Sequence, residues 1–175
     1  AMSHIVTISR RHVLKAGISV GAGCCLALHG VAGAQRRGAL PTGQSGDVLS
    51  LEADATYDLS VLAPGEMIAF QNGNNFIGVV HRNDEQRLAA QNNASLSAAD
   101  DGDIVTDARF LVVDLRCQHR GCQVGYTGEA DAMFECPCHR TSFDAAGRVL
   151  PERAKTDQDL TPIAHRIDGQ LLRFI

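Results

Sequence analysis

Cys117-Gln118-His119-Arg120-Gly121-Cys122 and Cys136-Pro137-Cys138-His139 are the two stretches on which the reading of this 175-residue chain turns. Sixteen residues, 120–135, separate His119 from Cys136. The chain has six cysteines, and four of them fall within residues 117–138, so the thiols are gathered at one place and not spread as a disulfide scaffold. Together the two boxes supply two Cys-His pairs. A mixed-ligation two-iron, two-sulfur centre takes two thiolates on one iron and two imidazoles on the other, so each box can give one ligand of each kind. The same residue types would also close a tetrahedron around structural zinc. The paired C-x-x-C spacing of zinc ribbons is missing, which favours iron.

Outward from the boxes the chain reads as mainly β. Phe110 to Leu115, just before the first box, is a β-branched and aromatic run. Met67 to Phe70 and Phe76 to Val80 flank Asn72-Gly73, and Ile163 to Ile167 and Gln170 to Phe174 flank Asp168-Gly169, so a hairpin is predicted at each place. Tyr57, Leu59 and Val61 alternate with polar residues as a further strand. Glu85 to Gln91 predicts one short helix, and Ser95 to Asp103 a polar loop. No internal repeat is visible.

The N-terminal residues 1–34 read as an address. Ser9-Arg10-Arg11-His12-Val13-Leu14-Lys15 places two adjacent arginines before an apolar run from Ala16 to Ala34, the order of a twin-arginine export signal. Ala32-Gly33-Ala34 is a small-residue pattern that a signal peptidase accepts. The competing reading is a retained membrane anchor, because the run nearly matches the ~20 residues that span a bilayer, although its five glycines and His29 weaken it. Residues 35–47 follow as a linker, and 48–175 as one globular domain. Either reading puts that domain on the periplasmic face of a bacterial inner membrane, anchored or released. A formal net charge of −4 gives no overall basic character of the kind nucleic-acid binding requires.

Cys-x-His-x-Gly-Cys and Cys-Pro-Cys-His, at this separation, resemble the boxes of Rieske iron-sulfur proteins. The resemblance implies an antiparallel β-sandwich with a small cluster-binding subdomain, and one 2Fe-2S cluster per chain. It implies Cys117, His119, Cys136 and His139 as ligands, and a disulfide between Cys122 and Cys138. The stretch 57–82, the acidic Asn83-Asp84-Glu85 and Phe110-Leu111-Val112-Val113 are similar to the Rieske subunit of ubiquinol-cytochrome c reductase, whose redox partners are of cytochrome b and cytochrome c type. With a twin-arginine signal, the Tat export machinery is a further expected partner.

Departures from that subfamily are specific. After His139 it usually has Gly-Ser-x-Tyr-Asp, whereas this chain has Arg140-Thr141-Ser142-Phe143-Asp144. Thr141 keeps a hydroxyl near the cluster ligands, while Phe143 lacks the one a tyrosine would donate to a ligand sulfur. Arg120 replaces an apolar residue, and Glu152-Arg153-Ala154-Lys155 stands where a Gly-Pro-Ala-Pro loop is expected. Phe143 and Val124-Gly125-Tyr126 also resemble the small subunit of arsenite oxidase, for which the partner would be a molybdenum oxidase large subunit. Cytoplasmic Rieske ferredoxins and oxygenases fit less well, because they lack the extra cysteine pair and the export signal. His81 and His165 have no carboxylate-and-histidine motif near them that would make a mononuclear iron site, and they read as strand or surface residues.

Overall fold

Strands that are apolar at consecutive positions have to be covered on both faces. Three such runs become β5 (Glu66–Asn72), β6 (Asn75–His81) and β7 (Phe110–Asp114), paired antiparallel in that order. The computed structural model describes residues 4–14, 47–93 and 107–175. Side-chain alternation divides the three strands between two cores. Met67, Ala69, Phe76, Val80, Leu111 and Val113 share one with Cys117, Tyr126, Phe134, Cys136 and Phe143. Ile68, Phe70, Ile77, Val79, Phe110 and Val112 share the other with Tyr57, Leu59 and Leu172.

The second core is closed by a sheet in the order β1 (Ile5–Thr7), β4 (Thr56–Asp58), β12 (Leu171–Phe174) and β11 (His165–Asp168). The first is closed by a small sheet in the order β10 (Ser142–Phe143), β9 (Phe134–Glu135) and β8 (Gly125–Tyr126). This is the mainly β sandwich with a small added subdomain that the sequence predicts. Helix α1 covers Asp84–Asn92 and starts with a capping box. Asn83 Oδ1 accepts from Gln86 N–H at 2.8 Å, and Gln86 Oε1 accepts from Asn83 N–H at 2.9 Å.

Both predicted hairpins form, with their corners one residue later than the dipeptides suggest. Asn72 pairs with Asn75 and Asp168 with Leu171, so each loop is two residues long and begins at a glycine, Gly73 (φ 60°) or Gly169 (φ 63°). A glycine at the first corner, in the left-handed region, matches the twist of the flanking strands. The expected strand through Val61 stops at Asp58, and Leu59–Val61 turns as a 3-10 helix with Ser60 N–H donating to Asp58 Oδ1 at 2.9 Å. Gly78 in β6 lets the chain leading into the first box approach closely, because a Cβ there would lie 2.8 Å from Leu115 Cδ2.

Residues 4–14, read from the sequence as part of an address, pack against the domain. Strand β1 pairs in parallel with β4, and β2 (Val13–Leu14) pairs antiparallel with Ile68 and Met67 of β5. β3 (Leu49–Ser50) continues along the same edge of β5. Arg10 is held by Glu66, with Nη1–Oε2 at 2.7 Å and Nη2–Oε1 at 3.0 Å, and donates to the Val61 carbonyl at 2.7 Å. The apolar run 16–34, the cleavage point after Ala34, and the loop 95–103 lie outside the described residues. Among the described residues no helix is long and apolar enough to cross a membrane.

Leu14 has no exposed surface and belongs to the core that also holds Cys117 and Cys136. Leu14→Ala in the full-length chain is expected to cost about 2–5 kcal/mol, as removal of a buried leucine side chain does. Chemical denaturation of the unprocessed protein checks this, and an unchanged midpoint would place residues 4–14 outside the cooperative unit.

Candidate metal centre

Two loops project from the small sheet, and their main chains close in the same way. In the first, Cys117 N–H donates to Cys122 O and Gly121 N–H donates to Cys117 O, both at 2.8 Å. In the second, Cys136 N–H donates to Thr141 O at 2.8 Å and Arg140 N–H to Cys136 O at 2.9 Å. The fourth residue after each cysteine is left-handed, Gly121 at φ 71° and Arg140 at φ 62°. Each loop therefore begins with a buried cysteine at the core and carries an exposed histidine at its outer turn.

The loops are tied together by a disulfide between Cys122 and Cys138. Cys117 and Cys136 remain free, and each is 1% exposed. The Sγ atoms of Cys122, Cys136 and Cys138 lie within 4.8 Å of one another, but two of the three are consumed by the disulfide and cannot act as thiolates. That leaves Cys117 and Cys136 as the two unbonded thiols of these loops. A hydrogen bond between those two thiols raises the pKa of Cys117 and lowers that of Cys136, with burial pushing both upward. On the outer side the rings of His119 and His139 stand 4.7 Å apart, centroid to centroid, at 66°. Two buried thiols and two exposed imidazoles form a donor set that suits two irons of different ligation.

The flanks of the site carry side chains that the sequence did not single out. Asp144 and Arg148, both fully buried, pair through Arg148 Nε to Asp144 Oδ2 at 2.9 Å. Asp144 Oδ1 also accepts from Ala146 N–H at 2.8 Å and Arg148 N–H at 3.0 Å. Burial raises the pKa of Asp144 against these hydrogen bonds. The pair shapes the turn that follows β10, and Arg148 Nη2 also donates to the Ala90 carbonyl of α1. Only the local Asp-x-x-Gly-Arg pattern hinted at a turn here. Gln118 Nε2 donates to Thr161 Oγ1 at 3.0 Å, bracing the first loop against the segment before β11. Thr141 Oγ1 accepts from Lys155 N–H at 3.2 Å, and Phe143 is fully buried beside the free cysteines' core. His81 and His165 each donate Nδ1–H to a carbonyl, of Leu62 at 2.7 Å and Ile163 at 2.6 Å, and serve the strands.

A β-sandwich with paired Cys-His loops locked by a disulfide has the form of an iron-sulfur electron carrier. Residues 58–162 match the model of the Rieske [2Fe-2S] domain, and the chain belongs to that family. It is 30% identical over 135 residues to the ubiquinol-cytochrome c reductase iron-sulfur subunit of Rhodospirillum rubrum, covering 72% of this chain and 73% of that one. It is 30% identical over 130 residues to the mitochondrial cytochrome b-c1 complex Rieske subunit of Schizosaccharomyces pombe, covering 71% of this chain and 55% of that one. Among solved structures, a chain of a hyperthermophilic respiratory Complex III aligns with a TM-score of 0.50 at 16% identity, covering 70% of this chain and 75% of that one, a likeness of fold. The protein is thus a component of oxidoreductase chemistry that transfers electrons through a Rieske 2Fe-2S cluster.

Removing one partner of the Asp144–Arg148 pair leaves the other charge buried. Arg148→Leu is expected to cost on the order of 3–5 kcal/mol. Thermal unfolding of the two proteins checks this, and a loss under about 1 kcal/mol would show that the Asp144 main-chain hydrogen bonds suffice alone.

Proposed function

We propose that Cys117 and Cys136 supply the thiolates and His119 and His139 the imidazoles that hold the cluster, and that the chain serves as the electron-transfer subunit of a quinol-cytochrome c reductase-type complex. The observation that carries this reading is the convergence of two free buried thiols and two exposed imidazoles on two loops of matching main-chain closure. When bound, the cluster takes up and returns one electron at a time. The chain's own contribution is to bury the thiols, tie the loops and leave the two outer imidazoles exposed. The subunit has no turnover alone and passes electrons between partners of cytochrome b and cytochrome c type. The named relatives favour this assignment over the arsenite oxidase small subunit with its molybdenum partner.

The location belongs to the same proposal. Export by the twin-arginine route would place the domain at the periplasmic face of the inner membrane, with the cluster inserted before crossing. Residues 4–14 can pack on the domain only while both lie on one side of the membrane, so the packed form corresponds to the chain before translocation. The Arg10–Glu66 contact would have to open for an export receptor to take the arginine pair.

Two measurements test these assignments. Reconstituted protein should hold about two irons and two acid-labile sulfides, with the low-average-g electron paramagnetic resonance signal of mixed ligation. His119→Cys and His139→Cys should alter or abolish that signal while His165→Cys leaves it intact; equal loss in all three, or stoichiometric zinc in the wild type, would overturn the ligand set. Arg10→Lys combined with Arg11→Lys should retain the protein in the cytoplasm on cell fractionation, and undiminished arrival in the periplasm would rule out the twin-arginine route.

A further inference from the structure

The surface around the two exposed histidines carries a charge opposite to that of the whole chain. Residues 117–122, 135–140 and 151–155 hold four cations, Arg120, Arg140, Arg153 and Lys155, against two carboxylates, Glu135 and Glu152, in a chain of formal net charge −4. All four cations are exposed. Glu135 is engaged by Arg140 at 3.2 Å, and Arg120, Arg153 and Lys155 add three further exposed cations to the one further carboxylate of these segments, Glu152. Three of the cations, Arg140, Arg153 and Lys155, line an open pocket of about 400 Å³ together with His139, Glu135 and Glu152.

The backbone at Arg140 is an independent sign that the charge there is used. Its φ of 62° lies in the left-handed region, where a side chain is strained and glycine is not. At the equivalent place in the first loop, the fourth residue after the cysteine, the chain has Gly121 at φ 71°. The second loop therefore keeps an arginine, with its side chain 78% exposed, at a position where its twin shows that a glycine fits. Retained strain at an exposed site points to a role in function.

We propose that this cationic tip is the docking face for an acidic surface on a protein redox partner. The inference rests on the histidines being the outer ligands, since those rings are then where an electron enters or leaves. With a positive tip on a negative body, an acidic partner is drawn to the tip and repelled elsewhere, so one field both speeds encounter and orients it. A basic partner would be turned toward the body, away from His119 and His139.

The test uses the intact holoprotein with two protein probes, acidic plastocyanin and basic cytochrome c. Calorimetric titration at low salt should show plastocyanin binding, weakening about tenfold or more as salt is raised, and its reduction in stopped flow should slow in parallel. The combined variant Arg120→Glu, Arg153→Glu, Lys155→Glu should bind plastocyanin at least tenfold more weakly and gain cytochrome c binding. Arg140→Gly should keep its melting temperature while losing plastocyanin affinity several-fold. A salt-independent plastocyanin titration, or wild-type affinity in the charge-reversed protein, would overturn the proposal. So would an Arg140→Gly protein that melts lower yet binds normally, which would make Arg140 a brace for Glu135. Sedimentation of the wild type with phosphatidylglycerol vesicles, without plastocyanin binding, would assign the patch to a membrane surface instead. Failure of the ligand set appears separately, as a missing paramagnetic signal with the titration unaffected.

Discussion

Each of the two cluster loops is closed by a pair of main-chain hydrogen bonds running forward from its first cysteine, and the tip depends on them. They fix where the cysteine enters the core and where the chain turns outward, so thiol and imidazole are separated by backbone geometry before any metal is considered. The histidine falls two residues after the cysteine in the first loop and three after it in the second, yet the closure is the same. The disulfide from Cys122 to Cys138 then joins the two units at their outer turns. Without that closure, six nearby side chains would have no reason to divide into a free buried pair, a bonded pair and an exposed pair.

Because Cys117 and Cys136 sit in the same core as Phe134, Phe143 and the inner side of the central sheet, the pair of thiols is brought together by folding itself. Strand β6 contributes through Gly78, whose missing side chain makes room for Leu115 at the root of the first loop. Metal affinity and fold stability are coupled in such an arrangement, since packing that holds the strands also holds the thiols at their spacing.

The sequence made the chemistry legible because box spacing is a local signal with few other uses, and it made the long strands legible because their composition persists over five to seven residues. It was less informative where structure depends on distant partners. Strands β1 and β2 are three and two residues long, too short for any period, and they form because β4 and β5 offer unpaired edges to them. Arg10 looked like half of a targeting motif, and its pairing with Glu66 joins residues 56 apart. The Asp144–Arg148 pair was hidden for another reason: burial of a charged pair is unusual, and a lone aspartate and arginine in a turn ordinarily face water. The hairpin dipeptides marked both turns but not their corners, because an Asn-Gly or Asp-Gly dipeptide can occupy both corners of a turn or straddle its start.

The N-terminal strands also cap the molecule laterally. β1 lies along Thr56–Asp58, and β2 lies along Met67–Ile68, so together they occupy main-chain donors and acceptors that the sheets would otherwise present to solvent. Starting the chain at residue 35 bares both rows at once. Bare strand rims recruit other chains through the same hydrogen bonds. A shortened recombinant form is therefore prone to edge-to-edge self-association even with its cluster loops intact.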